Sequence, residues 1–197
     1  MSIVVKLGGS LYNTPELQIW LSTLVEHAQH HPIIIVPGGG PFADQVRNAQ
    51  SIHHFNDQAA HHMALLAMKQ FGLLLKALAP SCGTFVLGHK NHSPLSIWLP
   101  DDALLNEVEL DQSWDISSDS LALWLANKVS AQQLILIKRA NTLSTSIKQL
   151  TSDTVIDSAF SSLFSRHSVA TKIIHSKQSQ QFFELASSDN NQLKLSS

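Results

Sequence analysis

Short apolar runs alternate along the chain with longer stretches in which apolar residues recur at helical spacing. The runs at 3–7, 33–36 and 134–137 are almost entirely apolar, which is typical of strands that are buried on both faces of a sheet. Three further runs complete the predicted strands, at 84–87, 95–99 and 169–174, with a turn over 88–94. This pattern predicts a sheet whose two faces are both covered.

Helices are predicted between these strands. One begins at the capping segment 13–16, where a proline and a glutamate suit a first helical turn. A long amphipathic helix covers about 57–78, and a nearly all-apolar helix begins at Ser117 with Asp119 in its first turn. Further helices are predicted after the second glycine turn and over 155–164 and 179–186.

Strands that alternate with helices predict an α/β fold, a three-layer αβα sandwich with a mainly parallel central sheet. The 197 residues suit one domain, which we place at residues 1–186. Residues 187–197 are polar, and we expect them to fray. Ligands of such sheets bind beyond the carboxyl ends of the strands, so the loops at those ends are the first candidates for a site.

Charge and cysteine content exclude several classes of function. Charged residues make up 14% of the chain and the formal net charge is -2, so no basic surface is expected for nucleic acid or anionic lipid. The single cysteine excludes an internal disulfide and a cysteine-based zinc finger. No apolar run reaches the roughly 18 residues of a membrane span, and the first residues resemble a strand instead of a signal peptide. We therefore expect a soluble cytoplasmic protein.

Two glycine turns follow the first two predicted strands. Gly8 and Gly9 come after a strand that carries Lys6 near its end, and residues 38–40 are three successive glycines before a helix. Glycine lets backbone N–H groups approach a phosphate, a helix N-terminus favours an anion, and a lysine adds a point charge. Neither turn is a Walker A loop or a Rossmann fingerprint. Two anion-binding turns and a lysine in one crevice indicate phosphoryl transfer.

Both turns resemble the signature loops of the amino acid kinase family, which includes acetylglutamate, carbamate, aspartate and uridylate kinases. The matching residues are 5–10 (VKLGGS) and 37–40 (PGGG). Residues 38–47, 57–72 and 114–126 are similar to a branch of this family that phosphorylates [5-(aminomethyl)furan-3-yl]methyl phosphate to its diphosphate in methanofuran biosynthesis. The resemblance implies a homo-oligomeric kinase that uses ATP with Mg²⁺ and acts on a small-molecule substrate.

The resemblance also implies a role for each matching residue. Lys6 would neutralise charge on the transferring phosphoryl group, and Asp119 would organise the catalytic lysines. The candidates for a second catalytic lysine are Lys138 and Lys172. The residues expected to hold the nucleotide are Gly8, Gly9, Ser10 and Lys138. Those expected on the acceptor side are Gly38, Gly39, Gly40, Asp44, Arg47 and His61.

Several of these residues have plainer interpretations. Asp119 also suits a first helical turn by its charge alone, and Asp44 with Arg47 also suits a surface ion pair of little stabilising value. The histidine pairs at 53–54 and 61–62 do not suit a shared metal, because adjacent helical residues point in different directions. Core positions are expected for Trp98, Trp114 and Trp124, and a solvated helix face for His27, His30 and His31.

The chain departs from the family in the part expected to hold the base and ribose of ATP. Residues 138–142 lack the acidic, glycine-containing segment that many members carry, and residues 175–176 replace an Asn-Gly turn. Two alternatives therefore stand beside a kinase for a phosphorylated acceptor. One is a family kinase that acts on a carboxylate, a carbamate or a nucleoside monophosphate. The other is a non-catalytic relative that binds a phosphate ligand or a partner protein.

Overall fold

Six strands form one sheet in the computed structural model, which describes residues 2–89, 93–141, 144–167, 169–187 and 195. The strands are β1 (Ile3–Leu7), β2 (Ile33–Pro37), β3 (Gly83–Phe85), β4 (Leu95–Trp98), β5 (Gln133–Lys138) and β6 (Ala170–His175). Their order across the sheet is β3-β4-β2-β1-β5-β6, and each neighbouring pair is parallel. Strands from both ends of the described chain therefore share this sheet.

Helices cover both faces of the sheet. They are α1 (Glu16–His27), α2 (Gly40–His53), α3 (Asp57–Leu78), α4 (Ser118–Lys128), α5 (Ile147–Ser152), α6 (Phe160–Arg166) and α7 (Phe182–Ser187). None of the described helices combines the length and the apolar character that crossing a membrane requires. One apolar cluster joins the sheet to α1, the second half of α3 and α7, and the other joins it mainly to α4, α5 and α6. The predicted three-layer αβα sandwich is therefore confirmed.

Large aromatic side chains fill both apolar layers. Trp20 and Phe71 are fully buried on the α1 side of the sheet, and Trp98 and Trp124 are fully buried on the α4 side. Full burial of an apolar side chain stabilises a fold by roughly 1.5–3 kcal/mol. Trp20 also donates its Nε1–H to the carbonyl oxygen of Ser176 at 2.7 Å, so its polar atom is satisfied and α1 is fastened to the end of β6.

Side-chain alternation along the strands decides which lysines face α4. Val4 lies in the apolar cluster on the α4 side, so Lys6, two residues further along β1, points to that side as well. Lys138 follows the same alternation on β5. Lys172 instead pairs in register with Ile135, whose side chain lies on the α1 side. Of the two candidates for a second catalytic lysine, only Lys138 shares a face with Lys6.

The helix predicted over 155–164 begins later than expected. It starts only at Phe160, because Thr154 has a left-handed φ of 55° and the Asp157 carboxylate accepts the Phe160 N–H at 3.0 Å. The intervening residues turn away from a helical path and bury Val155 and its neighbour instead. Upstream, α5 has no counterpart among the predicted elements. Short apolar segments of this kind are poorly distinguished by periodicity alone.

His27 is buried, so the prediction of a solvated position for it is wrong. Its ring packs against Phe182 and Phe183 of α7, with ring centroids 5.0 and 4.8 Å away. His27 lies on the same face of α1 as Trp20 and Leu24, at helical spacing. Phe182 also packs against Trp20, so α7 covers this part of the face. The two later histidines of the segment are exposed.

Parts of two predicted segments lie outside the described residues. The predicted turn at 88–94 includes residues 90–92, and the tail at 187–197 is described only at Ser187 and Leu195. Ser187 is the last residue of α7, and Leu195 is buried.

Candidate active site

The two glycine loops pack backbone against backbone. A Cβ atom on Gly9 would lie 2.2 Å from the backbone nitrogen of Gly40, and one on Gly38 would lie 2.4 Å from the backbone nitrogen of Gly9. Gly40 also has a left-handed φ of 54°, which glycine adopts without strain. These glycines therefore bring the loops after β1 and β2 into direct contact, in addition to leaving backbone N–H groups uncovered.

A crevice of about 530 Å³ opens where these loops meet the carboxyl ends of β1 and β5. β1 lies between β2, which is the next strand along the chain, and β5, which the chain reaches only after β4. The direction of the strand order therefore reverses at β1. Ligands of open α/β sheets bind at such a switch point. All the predicted site residues line this crevice except Gly8 and Gly38. The two loops thus share one crevice, as the sequence predicts.

A buried aspartate between two lysines forms the floor of the crevice. The Nζ atom of Lys6 lies 2.9 Å from Oδ1 of Asp119, and Lys138 donates from Nζ to Oδ2 of the same carboxylate. Only 3% of Asp119 is exposed. Lys6 comes from the end of β1, Lys138 from the end of β5 and Asp119 from the first turn of α4. Residues far apart in the chain therefore meet where the crevice ends.

This cluster changes the titration of its members. Burial opposes ionisation of Asp119, but the charges and hydrogen bonds of the two lysines together outweigh it and lower the pKa of the carboxyl. Burial, followed by repulsion from Lys6, lowers the pKa of Lys138 to about 8, although Asp119 acts in the opposite direction. With both lysines protonated, the three side chains carry one net positive charge. Such a charge suits an anionic ligand.

Asp157 holds the turn on which Asp119 lies. Its Oδ2 atom accepts hydrogen bonds from the backbone N–H groups of Ser117 and Ser120, each at 3.0 Å, and from the Ser117 hydroxyl at 2.6 Å. Its Oδ1 atom accepts from the Ser120 hydroxyl and from the Phe160 N–H. Sequence reasoning missed Asp157, because an aspartate shortly before a helix indicates a cap of that helix and gives no sign of a distant partner.

Arg47 and Trp114 form one wall of the crevice. The Arg47 guanidinium lies 4.5 Å from the centroid of the Trp114 ring and forms a 2.7 Å ion pair with Asp44. Trp114 donates its Nε1–H to the side chain of Gln50 at 2.6 Å. The prediction that Trp114 belongs to the core is wrong, since it is half-buried and lines the crevice. Arg47 and Asp44 do form the surface pair that was one interpretation, with side chains 54% and 67% exposed, but the ring also orients the guanidinium.

His61 lies behind this wall and is almost fully buried. Its Nδ1 atom lies 3.4 Å from the carbonyl oxygen of Ser113. Burial lowers the pKa of His61, and neighbouring His62 acts in the same direction while the Ser113 contact opposes it. A neutral imidazole that donates to Ser113 through Nδ1 presents Nε2 as a hydrogen-bond acceptor. Apolar residues complete this part of the crevice, namely Ala64, Leu65, Met68, Ile116 and Leu121.

Arg139 adds a cation beside Ser10 that sequence reasoning did not single out. It lines the crevice and donates from Nη1 to the carbonyl oxygen of Ser10 at 3.3 Å. His175 contacts the carbonyl oxygen of Arg139 through Nε2 at 3.0 Å. In the segment 138–142, Lys138 and Arg139 therefore present basic side chains to the crevice, and Thr142 lies outside the described residues.

Comparison with known proteins agrees with this geometry. The model of the amino acid kinase family matches residues 1–87. The [5-(aminomethyl)furan-3-yl]methyl phosphate kinase of Methanocaldococcus jannaschii is 28% identical over 139 residues, which are 68% of this chain and 63% of that protein. The match thus spans less than two thirds of the relative's length.

Solved structures share the fold at low sequence identity. Uridylate kinase from Archaeoglobus fulgidus is similar with a TM-score of 0.68 and 16% identity, covering 91% of this chain and 96% of that chain. Aspartate kinase from Synechocystis is similar with a TM-score of 0.66 and 14% identity, covering 99% of this chain and 40% of that chain. In its glycine loops and its fold the chain is similar to the amino acid kinase family, and the relatives named here are kinases.

Proposed function

We propose that this protein is an ATP-dependent kinase that transfers the γ-phosphoryl group of ATP to a small phosphorylated acceptor. The observation that supports this most is the buried Asp119 carboxylate between Lys6 and Lys138, at the floor of a crevice formed by two contacting glycine loops. Phosphoryl transfer depends almost entirely on positioning and on charge stabilisation. The crevice offers both.

Each part of the site has a role in the proposed transfer. The loop at 8–10 holds the nucleotide phosphates, and the loop at 38–40 holds the reacting end of the acceptor. An acceptor phosphate oxygen attacks the γ-phosphorus, the bond to the bridging oxygen breaks, and ADP leaves with that electron pair. Lys6 and Lys138 neutralise the negative charge that gathers on the transferring group. Asp119 fixes the two ammonium groups at separate positions and keeps them from repelling each other.

We propose that Mg²⁺ enters this crevice as a companion of the nucleotide. Both oxygens of Asp119 contact lysines, and Asp44 is paired with Arg47. Within the part of the chain that the structure describes, no group of three or more His, Cys, Asp or Glu residues is placed to hold a metal ion. Mg²⁺ in kinases keeps several waters and binds substrate phosphates. We assign it no protein ligand, and its contribution when bound is to neutralise phosphate charge.

A furan-methyl phosphate is the acceptor that we propose first. The support is the similarity to the kinase of Methanocaldococcus jannaschii, together with a wall that offers an oriented guanidinium beside apolar and aromatic surface. An acceptor panel read by ADP release tests this assignment. We expect turnover with [5-(aminomethyl)furan-3-yl]methyl phosphate and little with UMP, acetylglutamate, aspartate or carbamate. Turnover with one of the latter and none with the furan phosphate would assign the protein to another activity of the family.

Replacing Arg47 with alanine should weaken acceptor binding. A hydrogen bond to a charged group contributes about 1.5–3 kcal/mol, so the KM for the acceptor should rise about 10–100-fold while the KM for ATP stays near the parent value. Initial-rate kinetics with each substrate varied in turn measure both constants. Arg166→Ala is the matched control, because Arg166 is an exposed arginine of α6 and does not line the crevice. An acceptor KM within twofold of the parent would reduce Arg47 and Asp44 to a surface ion pair.

Activity should decline above about pH 8. Lys138 has a lowered pKa of about 8, so it is a cation below that pH and loses its proton as the pH rises through it. The ratio kcat/KM for ATP reports titrations of the free enzyme. It should fall about tenfold per pH unit above the pKa of Lys138. Lys138→Arg keeps its charge over this range and should lose the alkaline decline, at a lower absolute rate. A parent profile that stays flat well above pH 8 contradicts the role of Lys138.

The departure at residues 138–142 favours one second candidate, a non-catalytic relative that binds a phosphate ligand. Calorimetry with MgATP separates the two functions, because a kinase must bind the nucleotide. Arg139 and Lys138 supply cations beside the first loop and support nucleotide binding. We expect saturable binding at millimolar MgATP or below. A folded protein that does not bind MgATP would favour the non-catalytic relative.

A homo-oligomer and a cytoplasmic location stay proposals from the family resemblance. Ile52, Met63 and Leu66 are exposed and line a groove between α2 and α3, which supports association through an apolar face. Sedimentation equilibrium measures the oligomeric state.

A further inference from the structure

We propose, on the basis of the function given above, that Asp157 is a positioning residue that fixes the first turn of α4 and so aims the Asp119 carboxylate at the two lysines. Asp157 does not line the crevice, and therefore it acts through other residues and does not touch a substrate.

The contacts of Asp157 converge on the two sides of Asp119. On one side are the backbone N–H and hydroxyl of Ser117, and on the other are the backbone N–H and hydroxyl of Ser120. Asp157 thus binds Ser117 and Ser120, the residues on either side of residues 118 and 119. These hydrogen bonds hold the first turn of α4 closed. Charge-assisted hydrogen bonds of this kind are shorter and stronger than neutral ones.

A relay of hydrogen bonds also joins Asp157 to Asp119 itself. The Ser117 hydroxyl donates its hydrogen to Asp157 at 2.6 Å, which leaves its oxygen to accept the backbone N–H of Asp119 at 3.2 Å. The hydroxyl is therefore held in the orientation that caps α4. Loss of the Asp157 carboxylate frees the Ser117 hydroxyl to rotate and leaves several buried donors without their acceptor.

Asp157 also acts on the cluster by its charge. Its negative charge favours the protonated form of Lys138 and raises the pKa of that lysine, against the lowering by burial and by Lys6. This electrostatic link gives a measurement that a purely structural helix cap would not change. A residue that only held α6 through the Phe160 N–H would alter stability alone.

The test uses Asp157→Asn, which removes the charge and one acceptor face, and Asp157→Glu, which keeps the charge. Asp153→Asn is the matched control, because Asp153 is exposed, lies shortly before Asp157 in the chain and pairs only with Gln149 among its described side-chain contacts. Steady-state kinetics give kcat and the two KM values. Acetylation of Lys138 by acetic anhydride across a pH series, quantified by peptide mass spectrometry, gives its titration without any substrate.

We expect Asp157→Asn to lower kcat about 10–100-fold, the range typical of residues that orient catalytic groups through hydrogen bonds. The KM for ATP should change much less, and the titration of Lys138 should move to lower pH. Asp157→Glu should restore the titration of Lys138 to near its parent position, and Asp153→Asn should match the parent in every measurement.

Two results would overturn the positioning role in an active parent enzyme. One is a kcat within threefold of the parent with an unmoved Lys138 titration. The other is a loss of activity that follows only the unfolded fraction, measured by thermal melting, with an unmoved titration. If Asp157→Asn does not fold, Ser117→Ala breaks the relay and leaves the Asp157 carboxylate in place. An unchanged kcat in that variant would contradict the inference.

Failure of the proposed function is visible separately. A parent protein without transferase activity on any acceptor refutes the kinase assignment, whatever the variants do. In that case the Lys138 titration still decides whether Asp157 controls the cluster, because it requires no turnover. A shift in Asp157→Asn supports the coupling, and no shift overturns it.

Discussion

Replacing Lys6 with alanine should lower kcat by about a thousandfold or more, the range typical for removal of a group that stabilises transition-state charge. Lys6 is the residue of β1 that faces Asp119 and the crevice, with its Nζ atom 2.9 Å from the carboxylate. The shorter side chain takes the cation away from the transferring phosphoryl group. Asp119 keeps Lys138 as its partner, so we expect the fold to persist.

Stopped-time assays of ADP release and thermal melting measure the two consequences of the Lys6 substitution. Lys148→Ala is the matched control, because Lys148 is an exposed lysine of α5 that does not line the crevice. It should retain the parent rate. A Lys6→Ala protein that melts near the parent temperature and turns over within tenfold of the parent would remove Lys6 from the mechanism.

Replacing Asp119 with asparagine should lower kcat about 100–1000-fold, comparable with the loss of one preorganised charge-stabilising group. The amide has nearly the shape of the carboxylate but no charge. Lys6 and Lys138 would then be two nearby cations without an anion between them, and their repulsion would grow in this buried setting. Since Asp119 raises the pKa of Lys138 in the parent, the variant should also lose the Lys138 proton at lower pH.

Kinetics at several pH values check the effect of the asparagine substitution. The rate of Asp119→Asn should recover partly as the pH falls and Lys138 regains its proton. Asp111→Asn changes an exposed aspartate outside the crevice and should behave like the parent. A rate near that of the parent at neutral pH would mean that Asp119 serves only as a first-turn residue of α4.

The sequence predicts the parts of the site that depend on local pattern. The glycine turns after two buried strands, Lys6 near a strand end and Asp119 in a first helical turn are all visible as short motifs. Parallel strands bring such ends to one edge of a sheet, so the shared crevice follows from the fold class. The choice between Lys138 and Lys172 requires the register of β5 and β6, which local pattern does not contain.

Residues whose environment is set by distant segments could not be predicted. The large aromatic side chain of Trp114 suggests a core position, but in the fold it lies beside Arg47 at the crevice. His27 looks solvated until α7 packs over it. Asp157 resembles an ordinary helix cap, and its bonds to Ser117 span about 40 residues of sequence. Each of these depends on tertiary contacts that no periodicity reveals.

The most direct test of the central claim follows the γ-phosphoryl group itself. The parent protein and Lys6→Ala are each incubated with Mg²⁺, γ-labelled ATP and [5-(aminomethyl)furan-3-yl]methyl phosphate, and label in the product diphosphate is measured. We predict rapid transfer of label by the parent and transfer slower by about a thousandfold in the variant. Equal transfer by both proteins would contradict a kinase centred on Lys6, Asp119 and Lys138. So would a folded parent protein that binds MgATP but transfers no label to this acceptor or to any other on the panel.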